Sequence, residues 1–193
     1  MIKSIMGGFM ITMAAAIYLA VGGALGAFMF AIGLLTILIF QFNLFTGKAG
    51  LLAQGKIKVI PLIDIWWGNF MGCALGGELI KYTPVGYKIA EGAAAITNTR
   101  INNFWYENIL LGILCGVLMF VAVKAYQAAP YITILSVASF ILLGANHCVA
   151  DMAYMILAAN GEIFFPALAA MLCTSVGNII GCNLIPLAVR YSQ

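Results

Sequence analysis

The sequence predicts an all-α integral membrane protein, with six transmembrane helices arranged as two inverted groups of three. Three observations carry that expectation: scarce charge, six long apolar stretches, and a polar motif that recurs late in each half. Hydrophobic residues make up 64% of the 193-residue chain and charged residues 8%. A soluble domain carries about 25% charged residues. This chain lacks the side chains to cover a water-facing surface, so its solvent is expected to be lipid. The length suits a single transmembrane domain over residues 1–193, built from helices of about 20 residues each.

The apolar stretches follow one another along the chain. The first runs from Ile5 to Val21. Lys3 precedes it, but no small-residue cleavage site and soluble domain follow, so it reads as a retained span rather than a signal peptide. Gly22 and Gly23 separate it from the second, Ala24 to Leu52, and Lys56 and Lys58 mark the next loop. The third covers Ile60 to Ile80. A polar stretch from Lys81 to Asn103 divides the chain, and the fourth covers Tyr106 to Ala125. After a break at Ala129 and Pro130 comes the fifth, Tyr131 to Ala159. A short turn is expected at Asn160, Gly161 and Glu162, and the sixth runs from Phe164 to Val189.

The second and fifth stretches are too long and too interrupted for simple spans. The second contains Gln41, Asn43, Thr46, Gly47 and Lys48, and the fifth contains Gly144, Asn146, His147 and Asp151. Polar groups at mid-membrane are costly and by default functional. Non-helical backbone at that depth survives only where protein buries it or water reaches it. Both stretches therefore read as broken helices, with Gly47 permitting the turn in the first.

The halves are related by a repeat. Gly68-Asn69-Phe70-Met71-Gly72-Cys73 in the third stretch and Gly177-Asn178-Ile179-Ile180-Gly181-Cys182 in the sixth both read G-N-x-x-G-C. A broken stretch precedes the motif each time. Three spans per half is an odd number, so the halves, about 1–81 and 104–193, must be inverted, an architecture of transporters. With the N-terminus cytoplasmic, that side holds Lys3, Lys48, Lys56, Lys58, Lys124 and Arg190, against Lys81, Lys88 and Arg100 on the other. The bias predicts a multi-pass protein of the cell membrane with both termini cytoplasmic.

His147 is the sole histidine. With an ordinary pKa near 6.5 it exchanges protons at physiological pH. Alone it would read as a buried structural histidine, but Asn146, Asp151 and the helix break surround it. Thr46, at the other break, offers a hydroxyl that can meet a solute, orient His147, or cap the following half-helix. Half-helix N-termini near mid-membrane suit an anion. Lys48 and Asp151 stand just after the two breaks, either as an intramembrane pair or each facing its own vestibule; burial without partner or water would be costly. Phe30, Leu34, Phe45 and Phe140 lie on or next to the broken helices, where large apolar side chains can form dry constrictions or simply pack.

Other classes fit less well. Cys73, Cys115, Cys148, Cys173 and Cys182 form no C-x-x-C pair and read as small buried hydrophobes. No H-E-x-x-H or G-x-S-x-G motif points to an enzyme. No basic cluster suggests nucleic acid, and neither a metal nor a cofactor is expected. A pore for neutral solutes such as water, ammonia or hydrogen sulfide is the alternative to an anion pathway, although no Asn-Pro-Ala motif occurs.

Several motifs, in order and over nearly the whole chain, resemble the formate/nitrite transporter family. Leu44-Phe45-Thr46-Gly47 is similar to its L-F-T-G loop, and Gly144 to Met152 to its G-F-E-H-S-x-A-N-M motif. Val176 to Gly181 resembles its sixth-helix G-N-I-I-G motif, while Trp67 to Gly72 and Leu111 to Cys115 resemble its third and fourth helices. The resemblance implies an aquaporin-like fold, a homopentamer with one pore per protomer, and substrates among formate, nitrite, lactate and hydrosulfide. It places Thr46 and His147 at the pore centre and Phe30, Leu34, Phe45 and Phe140 at apolar constrictions. It also puts Arg100 where many members carry a vestibule lysine. Asn146 stands where the family carries Glu, and Asp151, Gly116 and Ala170 where it carries Asn. The tail before the first span is short, so the gating N-terminal helix of some members is expected to be absent or reduced.

Overall fold

The computed structural model describes residues 1–158 and 163–191. The turn expected at Asn160 to Glu162 lies outside the described residues. Among them the chain forms nine helices: α1 (Ile2–Val21), α2 (Gly23–Ile39), α3 (Phe45–Ala49), α4 (Val59–Lys81), α5 (Pro84–Asn102), α6 (Trp105–Ala125), α7 (Pro130–Leu142), α8 (Cys148–Leu157) and α9 (Phe164–Tyr191). Four of these, α1, α4, α6 and α9, are long and apolar enough to cross a membrane. Among the described residues all regular structure is helical, and the chain is a multi-pass membrane protein.

Both expected breaks are present. α2 gives way to α3 across 40–44, and α7 to α8 across 143–147. Each opens with the same turn. Gln41 (φ 54°) and Gly144 (φ 74°) adopt left-handed backbone, Phe42 N–H donates to Ile37 O at 2.9 Å, and Ala145 N–H donates to Phe140 O at 2.9 Å. This bond, reaching back five residues past a left-handed residue, is a common way for a helix to stop. The expectation that Gly47 supplies the first turn is corrected: Gly47 lies inside α3, and Gln41 takes the strained position.

The polar stretch between the halves is also structured. Pro84 starts α5, its missing N–H costing nothing at a first helical position. Gly86, Ile89, Ala93 and Thr97 form a buried stripe at helical spacing, and α5 packs against α8 and α9. Its polar face conceals that stripe from a reading based on apolar runs.

The most extensive packing pairs α1 with α4 and α6 with α9. A side chain at Gly72 would strike the carbonyl of Ile5, and one at Gly181 would strike the carbonyl of Ile113. These glycines let the backbones touch, as small residues do where lipid supplies no hydrophobic drive between helices. Leu25, Ile32, Leu75, Leu114 and Leu135 are exposed on the outside, which suits a lipid surround.

Candidate functional site

The breaks are pinned by two asparagines buried in apolar helices. Asn69 of α4 accepts from Phe45 N–H at 2.8 Å and donates to Asn43 O at 2.8 Å and Ser4 O at 2.7 Å. Asn178 of α9 accepts from Cys148 N–H at 2.9 Å and donates to Asn146 O and Gly112 O, each at 2.8 Å. Each amide thus satisfies the first N–H of a half-helix and the carbonyl two residues before it. Unpaired, these backbone groups would cost several kcal/mol each (about 2–7) in an apolar medium.

The cysteines of the repeated motif add a second lacing. Cys73 Sγ contacts Gly8 O at 3.4 Å and Val149 O at 3.5 Å. Cys182 Sγ contacts Gly116 O at 3.2 Å and Thr46 O at 3.3 Å. Each thiol, a weak donor, therefore reaches from its own half to the second residue of the other half's short helix. These cysteines are buried, as small apolar residues would be, yet they also make polar contacts. Recurrence of a polar residue at one place in two apolar spans was the available signal for Asn69 and Asn178; nothing in the sequence distinguished the thiols' bonding role.

Held this way, the breaks bring Thr46 and His147 together. Thr46 Oγ1 and His147 Nε2 lie 2.8 Å apart, and both residues are buried. Ala150 N–H donates to His147 Nδ1 at 3.1 Å, so His147 caps α8. A backbone N–H can only donate, so Nδ1 is the acceptor and the neutral ring carries its proton on Nε2. Nε2–H then donates to the Thr46 hydroxyl. Thr46 does not cap α3: Leu44 occupies that position, and Asn69 supplies the acceptor.

A cavity lies on either side of this pair. One, of about 230 Å³, is lined by Tyr18, Arg100, Phe140, His147, Asp151 and Tyr154 among others. The other, of about 330 Å³, is lined by residues including Leu34, Gln41, Phe42, Leu44, Gly47 and Lys48. Asn43, beside the second, bonds Lys3 O at the start of α1 at 3.0 Å, whereas Tyr18 lies near the other end of that helix. Lys3 and Tyr18 are about 22 Å apart along the axis, so the cavities open toward opposite faces. The Phe140 ring stacks on His147 with centroids 5.6 Å apart, and Phe30 meets Phe140 edge-on at 6.2 Å. Phe30, Leu34, Phe45 and Phe140 are all buried; Leu34 and Phe140 face opposite cavities, and Phe45 adjoins Thr46.

The remaining candidates take distinct places. Asn146 lines neither cavity; its side chain donates to Asn108 Oδ1 at 2.9 Å. Asn108, not singled out from the sequence, in turn donates to Arg100 O at 2.9 Å and ties the end of α5 to the second break. Arg100 Nε and Asp151 Oδ1 form an ion pair at 3.3 Å. Asp151 therefore pairs with Arg100 rather than with Lys48, which is half-buried on the other cavity.

Both the sequence and the fold are similar to those of known proteins. The model of the formate/nitrite transporter family matches residues 1–192. The formate channel FocA of Haemophilus influenzae is 28% identical over 146 residues, 66% of this chain and 51% of that protein. The chain thus matches about half the length of that curated relative. Among solved structures, a pentameric formate channel with formate bound superposes with a TM-score of 0.81 at 19% identity, over 99% of this chain and 94% of that one. An ion channel of the same family gives 0.79 at 21% identity, over 99% and 88%. With its motifs, broken helices and fold in agreement along nearly the full sequence, the chain belongs to the formate/nitrite transporter family.

Proposed function

We propose that the chain forms a homopentameric channel or transporter for small monovalent anions or their weak acids, of the formate, nitrite, lactate or hydrosulfide class. The observation that carries this reading is the buried Thr46–His147 hydrogen bond, set between two cavities that open in opposite directions and flanked by apolar side chains. In this reading α2 with α3, and α7 with α8, act as single broken spans beside α1, α4, α6 and α9. The halves, about 1–81 and 104–193, are related by inversion, as in aquaporin-like folds. The matched bonds of Asn69 with Asn178, and of Cys73 with Cys182, support that relation. The distribution of Lys and Arg supports cytoplasmic termini.

A solute enters from either cavity and sheds water at Leu34 or Phe140. A charge at the bilayer centre costs roughly 2.5–3.5 kcal/mol on the lenient scale, so the neutral acid crosses the apolar constriction far more readily than its anion. Nε2–H donation to Thr46 leaves the hydroxyl proton directed to the solute. Protonating Nδ1 would break the bond from Ala150. The geometry therefore favours His147 as a hydrogen-bond donor, with the acid's proton drawn from water in the cavity. Uptake should rise as external pH falls, because the fraction of neutral acid rises.

The test is a panel of small weak acids in proteoliposomes at about pH 5 and about pH 8, comparing wild type with His147→Ala and Thr46→Ala. Wild type should carry at least one acid faster at the lower pH, and both variants should be impaired. Flat transport across that range with His147→Ala fully active would overturn the reading. A second reading, a pore for neutral solutes, draws on the pairing of Arg100 with Asp151, which leaves that cavity without net side-chain charge. Liposome swelling unaffected by competing anions would favour it.

A further inference from the structure

Arg100 lies in the last turn of α5 and Asp151 in the first turn of α8, one helical turn beyond His147. The Asp151 N–H donates to His147 O at 2.9 Å, which fixes the carboxylate on the turn that follows the central histidine. Among the described residues lining this cavity, Arg100 and Asp151 are the charged ones, and they pair at 3.3 Å. Their side chains are 15% and 5% exposed, so water screens the pair weakly. The opposite cavity has Lys48 as its charged lining residue, with no ion-pair partner among the described residues. One mouth thus carries no net side-chain charge and the other carries one positive charge.

A cleft lined by one sign of charge concentrates the opposite ion. A cation already paired projects a dipole instead, and an entering anion must compete with the resident carboxylate. Resting on the channel reading above, we infer that Asp151 is a specificity-determining residue: its carboxylate occupies Arg100, so this mouth does not concentrate small monoanions and binds them weakly. The mouth then distinguishes an acid from its anion by solvation rather than by attraction. Arg100 alone would make it an anion trap beside His147. Asp151 converts it into an electrically balanced entrance that releases anions as readily as it admits them.

The test sets the charge of the mouth in steps. Flux of sodium formate and sodium nitrite is measured in proteoliposomes for wild type, Asp151→Asn, Arg100→Gln and the double variant, at low and high ionic strength. Pentamer recovery is checked by size exclusion. KM should follow net charge: highest for Arg100→Gln, intermediate and similar for wild type and the double variant, lowest for Asp151→Asn. The fall for Asp151→Asn should be about threefold to tenfold, and its KM should rise most steeply with salt. If Asp151→Asn does not assemble, a raised KM in Arg100→Gln that returns toward wild type in the double variant carries the same meaning. Reduced rates without opposed KM shifts, or a double variant unlike wild type, would show that the pair is only a structural brace. Normal wild-type flux with unordered KM values overturns this inference alone. Absence of any weak-acid flux in wild type overturns the channel reading and this inference with it.

Discussion

Asn69 holds the first break by Phe45 N–H and Asn43 O, and Asn178 holds the second by Cys148 N–H and Asn146 O. Between the clamped positions the first break carries Leu44 and the second carries His147. At the second helical residue the order of polarity is reversed, with Thr46 in the first and Val149 in the second. Two backbones held by equivalent bonds therefore display different chemistry, and the polar pair is assembled by taking one residue from each. The bonding scaffold repeats because every carbonyl and N–H of a break must be satisfied in lipid. In the channel reading proposed above, the chemistry departs from the repeat because a solute passes only one such pair.

The comparison can be broken most severely at the clamps. Asn69→Ala and Asn178→Ala each remove three hydrogen bonds and strand backbone groups. Each should destabilise the protein by about 3 kcal/mol or more, and by similar amounts, read as a lower melting temperature in detergent. Strong loss for one and none for the other would show that the halves are not held alike.

Substitutions that make the breaks chemically equal should leave the assembly intact and affect flux. His147→Leu copies Leu44 into the second break, and Thr46→Val copies Val149 into the first. Thr46→Val removes the hydroxyl directed to the solute and should lower weak-acid flux by about tenfold to a hundredfold, and His147→Leu, which removes the donor that orients that hydroxyl, by about tenfold. Stopped-flow uptake at acid pH checks both, and the melting temperature in detergent separates these losses from misfolding. The smallest effect belongs to the thiols. Cys73→Ala and Cys182→Ala should each lower stability by about 1 kcal/mol or less. Only Cys182→Ala should also slow flux, because its carbonyl partner belongs to Thr46.

Much of this arrangement was legible in the sequence, for physical reasons tied to particular residues. Asn43, Thr46, Asn146 and His147 interrupt apolar runs where polarity is expensive, so the breaks announce themselves. The repeated G-N-x-x-G-C motif exposes both clamps, although not what they hold. α5 was hidden because its buried stripe of Gly86, Ile89, Ala93 and Thr97 is small and mixed. Gly47 reads as the residue that permits the first turn because glycine is the usual occupant of such places, whereas the chain places the left-handed residue at Gln41. The ion pair of Arg100 with Asp151 joins residues 51 apart in sequence, and nothing local to Asp151 distinguishes that partner from Lys48.

α9 follows every other described helix in the chain, and it supplies Asn178, Cys182 and Asn183. Asn183 holds the end of the first short helix by accepting from Ala53 N–H at 2.8 Å and donating to Ala49 O at 3.0 Å. During synthesis the ribosome delivers both breaks before the helix that fastens them. Until α9 inserts, Cys148 N–H lacks its amide partner and the Thr46 carbonyl its thiol contact, so the second break is unclamped and the first is held by Asn69 alone. In the channel reading proposed above, the conduit is completed late in translation, and a polypeptide halted before Asn178 leaves no finished leak in the bilayer.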